Sequence, residues 1–328
     1  MDETSAPAPP RRTRFLGPQL PGVVPTIAAI ICVIVFVGIQ TSQGETVDRL
    51  QRWGWGPASA VWHGEVWLLV TSAFVHHQLW HLAFNVYWLW QLGPLVEQTL
   101  GPWKTLAFVV GAAAFSSAAQ LLIRDNLGLG FSGVGYALFG FLWVAKPYVP
   151  VVRERLTPQI IWLFIIWFFG CWIATLTNFW TVGNEAHTAG LALGLALGGI
   201  RFDSRWRRPA RAAIALASAL ALGGLFYAPW SKTWTAVQGQ RAWARRDFNA
   251  AQAWFHKSLA QGQDPAWSWK WIAYADAYAG NQGAFREDLD ALRKVDPHGA
   301  DEVLTQVRGS VSGESADSGA KAVNTNSR

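Results

Sequence analysis

The stretch Gly130-Phe131-Ser132-Gly133-Val134-Gly135-Tyr136-Ala137-Leu138-Phe139-Gly140 decides how this chain is read. It follows a polar turn, Arg124-Asp125-Asn126, and continues as apolar sequence to Val144 before Lys146 stops it. A serine at such a junction opens a helix, where backbone N–H groups have no partner within the helix. Flanking glycines allow a second backbone to come close. Those are the parts of a nucleophile beside an anion-stabilising donor. The same small residues also serve plain helix packing in a membrane, which is the commoner use of any Gly-x-Ser-Gly taken alone. The rest of the chain has to choose between the two.

The 328 residues are 51% hydrophobic and only 15% charged, with a mean hydropathy of +0.16. A soluble chain carries about 25% charged residues. Here the apolar residues come in long blocks, which defines an all-α, multi-span membrane protein. Of the 21 tryptophans, Trp53, Trp55, Trp103, Trp180, Trp206 and Trp230 sit where apolar runs end, at the level favoured by indole rings. The formal charge of +6 is distributed between spans, so it carries no nucleic-acid signal. Cys32 and Cys171 both lie inside apolar runs and read as core residues, which supports neither a disulfide framework nor a thiolate metal site.

Taken in order, residues 1–22 form a Pro- and Arg-bearing tail expected to be disordered and cytosolic. The first span, about Val23–Ile39, leads into Gln40-Thr41-Ser42 without a small-x-small cleavage site and reads as a retained anchor. Residues 40–77, rich in tryptophan and glycine, are too polar to span and predict a partly embedded loop packed on the protein's own helices. Further spans fall at about Leu79–Val96, Trp103–Ile123, from Ser132, Gln159–Asn178, Glu185–Ile200 and Ala212–Pro229. With the N-terminus inside, inner segments carry twelve Lys or Arg, and outer loops through the sixth span carry Arg49, Arg52 and Arg124. Seven spans then put residues 231–310 outside the cytosol. Features of an organellar presequence are lacking, which points to a bacterial plasma membrane.

Strongly polar side chains inside apolar spans cost several kcal/mol and need a reason. Ser132 lies 14 residues before Lys146, and His187 lies 14 before Arg201. His81 and Asn85 lie 16 and 12 residues before Glu97, bracketing the same level. At 1.5 Å per residue this depth is about 21 Å from the inner end of a roughly 30 Å hydrocarbon core, or about 9 Å below the outer boundary. His187 is suited to take the Ser132 proton and later pass it to a leaving amine. His81 and Asn85, at i and i+4, share a helix face and, with the Ser132 N–H, suit an oxyanion. Tyr136, one turn beyond Ser132, is placed to pack under the His187 ring. Glu185, two residues before His187, faces elsewhere on a helix, which leaves a Ser–His dyad. Each residue also has a plainer reading: His81, Asn85 and His187 as interhelical hydrogen-bonding groups, Tyr136 as core, His76 as a structural group bonding loop backbone. Gly190, Gly194 and Gly198 repeat every four residues and predict a close-packing ridge that brings the sixth span against the fourth.

Three motifs occur in one order: His76-x4-His81-x3-Asn85, Gly130-x-Ser132-Gly133, and Ala186-His187-x2-Gly190-x3-Gly194. The pattern resembles the rhomboid family of intramembrane serine proteases, closely over residues 60–200 and in layout over 23–230. The resemblance implies a six-helix core plus one extra span, a Ser132 nucleophile with His187 as base, oxyanion stabilisation by His81 and Asn85, and no metal or organic cofactor. Transmembrane protein substrates within the lipid bilayer are its implied partners. The chain departs from the family's Glu-x-Trp-Arg by reading Glu65-Val66-Trp67-Leu68, which removes loop hydrogen bonds. Two other functions stay open at this level. One is a non-catalytic relative that binds and escorts membrane proteins. The other is a channel, although polar residues do not continue below Asn85.

Residues 231–310 are amphipathic. Arg246-Asp247-Phe248-Asn249-Ala250-Ala251 and the turn at Gly280-Asn281-Gln282, 34 residues after Arg246, resemble parts of a tetratricopeptide repeat. This predicts a small helical domain offering a surface to a protein partner, separable from the membrane core, so that its removal spares hydrolysis. The Ser-, Gly- and Asn-rich residues 311–328 are expected to be disordered.

Overall fold

A computed structural model describes residues 21–311; the bulk of the N-terminal tail and all but the first residue of the expected C-terminal tail lie outside the described residues. The chain is all-α. Its helices are α1 (Val23–Thr41), α2 (Thr46–Arg52), α3 (Ala58–Trp62), α4 (Leu68–Thr71), α5 (Leu79–Leu100), α6 (Pro102–Arg124), α7 (Ser132–Ala145), α8 (Pro150–Arg155), α9 (Pro158–Leu176), α10 (Asn184–Phe202) and α11 (Ser204–Phe226). Then follow α12 (Lys232–Ala244), α13 (Phe248–Ala260), α14 (Pro265–Ala279), α15 (Gln282–Val295) and α16 (Pro297–Val311), and a 3₁₀ turn Ser72–Phe74 links α4 to α5.

Among the described residues four helices, α1, α6, α9 and α11, are long and apolar enough to cross a membrane. The helices α5 and α10 have comparable length, 22 and 19 residues, but carry the polar side chains singled out above. The helix α7 is apolar but has only 14 residues, about 21 Å of rise, shorter than a hydrocarbon core of roughly 30 Å. The loop 125–131 leads into its first residue and contributes Asn126 to Gly130 to the cavity wall. The seventh expected span, α11, begins at Ser204, earlier than the hydropathy of the chain suggests, because Asp203 caps it by accepting from the Arg205 N–H at 2.9 Å. Its basic first turns are exposed, so charge does not oppose the helix there.

Ends are set by local chemistry. Glu97 of α5 accepts from the Val23 and Val24 N–H groups at 2.9 and 2.8 Å, satisfying orphan donors of α1 with a carboxylate from another helix. Pro102 and Pro158 occupy the first positions of α6 and α9. The core is centred on α7, where Ala137, Leu138, Phe139 and Leu142 are buried together with Phe131 just before it. Its most extensive partner is α10. A Cβ on Gly190 would overlap the Gly133 carbonyl oxygen, and one on Gly194 would overlap that of Ala137. The glycine ridge is therefore what lets the two backbones touch.

The last five helices stack as two antiparallel hairpins, α12–α13 and α14–α15, with α16 packed on α14 and α15. Arg246 (φ 62°) and Gly280 (φ 81°) hold the equivalent left-handed turn positions of the two hairpins. The unit packs against the membrane core rather than standing apart from it. Trp234 and Val237 of α12 share one buried cluster with Ala58, Val61, Trp62 and Leu68 of the 42–78 segment and with Leu121 of α6. Such contacts are invisible to periodicity, because each helix simply shows an apolar face.

Inside the second hairpin, Asp276 accepts from Gln252 and Asn281, both at 2.9 Å. Its neighbour Asp288 is pushed up to about 7 by burial, and further by the hydrogen bond and charge of Asp276. The folded chain therefore holds this proton more tightly than the unfolded chain does. The associated stability is fully present at low pH, falls as pH rises from the ordinary carboxylate range, and is lost above about 7. Hydrogen exchange in α14 and α15, corrected for intrinsic rates, should show more protection at pH 5 than at pH 8. Asp288→Asn should flatten that difference, and an unaltered pH profile in the variant would exclude the assignment.

Candidate active site

Ser132 is the first residue of α7, reached through Gly130 at φ 101°. That backbone is open to glycine, and a Cβ there would strike the His81 ring. Opening the helix points the Ser132 hydroxyl into a cavity of about 450 Å³ and leaves its N–H without an acceptor inside α7. His187, one turn into α10 and 4% exposed, places Nε2 at 2.7 Å from Ser132 Oγ. With the serine hydroxyl donating, the ring carries its proton on Nδ1, the tautomer that accepts a proton from the serine. Among the described residues, no group pairs with Nδ1. Tyr136 packs its ring 4.8 Å from the His187 centroid at 38°, and its hydroxyl donates to the Phe164 carbonyl at 3.4 Å.

The i, i+4 pair of α5 lines the same cavity. Asn85 Nδ2 donates to the His81 carbonyl at 3.1 Å and lies 3.1 Å from His76 Nε2. The Asn85 amide nitrogen is thus turned toward these two groups, and it would have to turn to face an oxyanion. His76 is fully buried. Its Nε2 accepts from the Phe131 N–H at 3.3 Å, and its Nδ1 lies 3.2 Å from the Phe74 carbonyl. This ring therefore ties α5, the 42–78 segment and the residue before the serine into one frame. His81 packs edge-on against His76, centroids 5.0 Å apart, and over Gly130. Gly133 and Gly190 are the contact point of α7 and α10, and Gly133 also abuts Ser116.

Other cavity residues escaped the sequence reading. Gln120 of α6 accepts from the Ala186 N–H at 3.3 Å and donates to Asn126 at 2.9 Å, holding the first turn of α10 beside His187. Glu185 pairs with Arg124 at 2.6 Å, pointing away from the imidazole. The cost of a polar residue in an apolar helix, the signal that exposed His81 and Asn85, was present for Gln120 as well.

The fold and this pair of side chains define a polytopic helical membrane protein with a serine hydroxyl and an imidazole meeting inside the bundle. Residues 63–204 match the model of the rhomboid domain. Over 182 residues, 55% of this chain, it is 33% identical to rhomboid protease GlpG of Serratia proteamaculans, strain 568, covering 62% of that protein. Over 189 residues it is 33% identical to rhomboid protease GlpG of Salmonella choleraesuis, strain SC-B67, and 32% identical to that of Salmonella typhi, covering 67% of each. This chain belongs to the rhomboid family. It spans about two thirds of the length of these curated relatives or slightly less.

Proposed function

We propose that the chain is an intramembrane serine endopeptidase that cleaves transmembrane segments of other membrane proteins. The observation that carries this reading is the 2.7 Å approach of Ser132 Oγ to His187 Nε2 at the floor of a cavity set within apolar helices. Ser132 Oγ attacks the scissile carbonyl carbon while its proton passes to His187 Nε2. The resulting oxyanion is met by the Ser132 N–H, with His81 and Asn85 as further donors. His187 then gives its proton to the leaving amine, and the peptide C–N bond breaks to leave an acyl ester on Ser132. Water, deprotonated by His187, attacks that ester, and the proton returns to Ser132 Oγ as the acid is released. Tyr136 and His76 orient the machinery, while Gly130, Gly133 and Gly190 make room for it.

The distribution of basic residues supports a cytosolic N-terminus and a helical unit at 231–310 on the outer side, and the bacterial relatives favour a bacterial plasma membrane as the location. The same unit is our proposal for contact with protein partners. Substrate helices bearing Gly, Pro or polar residues would unwind most readily into the extended form that reaches Ser132.

The test is labelling of the purified protein by a fluorophosphonate, in which the serine oxygen displaces fluoride at phosphorus. Wild type should be labelled and Ser132→Ala should not. Labelling that persists in Ser132→Ala would remove this serine as the nucleophile.

A further inference from the structure

The C-terminal helices grip the membrane core at two places, and both lead to the serine. The first is Asp125, which ends α6 in the left-handed conformation at φ 60°. Its Oδ1 accepts from Ser231 Oγ at 2.7 Å and its Oδ2 from the Thr233 N–H at 2.9 Å. Ser231 in turn caps α12 by accepting from the Trp234 N–H at 2.8 Å. A carboxylate at the end of one helix thus fixes the start of another more than 100 residues away. The second grip is the packing of α12 on α3, in a buried cluster that holds Trp234, Val237, Val61 and Trp62, reinforced where Arg241 donates to the Trp62 carbonyl.

Underneath these grips lies the frame of the nucleophile. The Gly130 N–H donates to the Ser72 carbonyl at 3.2 Å, the Phe131 N–H to His76, and Trp55 Nε1 to the Leu127 carbonyl at 3.1 Å. Phe74 packs edge-on against Phe131, centroids 5.2 Å apart. The 42–78 segment therefore lies between α12 on one side and the residues leading into Ser132 on the other. Leu68 is the position where the resemblance leads one to expect an arginine and its hydrogen bonds. In this chain the position is 3% exposed and lies in the same apolar cluster as Trp234 and Val237 of α12.

We infer that the C-terminal helical unit is a clamp on the catalytic loop, and that Asp125 is the positioning residue that engages it. By seating α12 on the 42–78 segment, Asp125 fixes the Ser72 carbonyl and the His76 ring, and with them the path from Gly130 to Ser132. The inference rests on Ser132 being the nucleophile proposed above.

Asp125→Gly removes the carboxylate while keeping the left-handed backbone free of strain. Asp125→Asn tolerates that backbone and keeps an acceptor for Thr233 and a donor for Ser231. In the full-length protein reconstituted in vesicles, Asp125→Gly should lower kcat about 10-fold with KM within about two-fold, as expected for a small misplacement of reacting atoms. Hydrogen exchange of the peptide containing Gly130 and Phe131 should speed up in the same variant. Asp125→Asn should restore both readouts to near wild type, which a general loss of stability would not explain. If Asp125→Gly does not assemble, Val237→Ala tests the same link from α12, with the same split between kcat and KM expected. Wild-type kcat and unchanged exchange in the variant that assembles would overturn the clamp, and so would Asp125→Asn falling as far as Asp125→Gly. An unlabelled wild type, or a labelled Ser132→Ala, would instead overturn the nucleophile assignment, so the two failures are distinguishable.

Discussion

Alanine in place of His187 is expected to lower hydrolysis of a helical model substrate by about 10⁴-fold, roughly 5.5 kcal/mol of transition-state stabilisation. A serine hydroxyl is a weak nucleophile until a base takes its proton, and Nε2 of His187 is the imidazole nitrogen within hydrogen-bonding distance of it. His81 lines the same cavity, but its ring is packed over Gly130 and against His76, so it is not placed to substitute. The loss should fall on kcat, with KM changed by about three-fold or less, because the ring acts on the bond-making step rather than on the body of the substrate. Fluorophosphonate labelling should slow in parallel. Free imidazole added to His187→Ala should recover part of the rate by occupying the space beside Tyr136, which separates loss of a base from loss of fold. More than about a tenth of wild-type kcat in His187→Ala, with an unaltered melting temperature, would exclude His187 as the general base.

Much of this site could be read before any coordinate. A serine, two histidines and an asparagine inside apolar runs are costly, and counting residues to the inner charges put all four near one depth. That argument works because helical rise converts sequence distance directly into height. The glycine spacing added which helices touch, since only a ridge of missing side chains allows backbones to meet. Height and spacing do not give azimuth. They left open whether Asn85 points its donors into the cavity or spends them on His76 and the His81 carbonyl, as it does here. They also passed over Gln120, whose side chain reaches across from α6 to the Ala186 N–H.

The least legible feature was the docking of α12. Leu68, Trp62, Trp234 and Val237 are ordinary members of separate apolar faces, and the sequence does not mark that they meet. Asp125 shows the same gap between local and distant information. Its place after Arg124 and before Asn126 predicts a turn, whereas its bonds to Ser231 and Thr233 are tertiary. A helical segment of roughly 80 residues therefore reads as an appendage in sequence and is fastened to the catalytic end of the bundle in space.

Valine at Gly194 is expected to reduce kcat by about 10²-fold or more, for a reason distinct from the loss of a reacting group. In wild type the α7 and α10 backbones are in contact, and a Cβ at this position would overlap the Ala137 carbonyl oxygen. A carbonyl within α7 cannot rotate away without breaking the helix, so the two helices must part. Overpacking of this kind costs about 1–3 kcal/mol of stability. Its effect on chemistry is larger, because Ser132 sits on one of the separated helices and His187 on the other. At 2.7 Å their bond has little slack, and a displacement of about 1 Å takes it out of hydrogen-bonding range. Gly111→Ala on α6, where a Cβ would meet open space, is the control and should leave kcat within about two-fold, with a gain in helix stability of about 1 kcal/mol. Melting temperature and kcat measured together separate the two effects: the valine variant should retain a cooperative transition while losing most of its turnover. Turnover near wild type in Gly194→Val would mean that catalysis does not require the close approach of these two helices, and the dyad geometry would have to be abandoned with it.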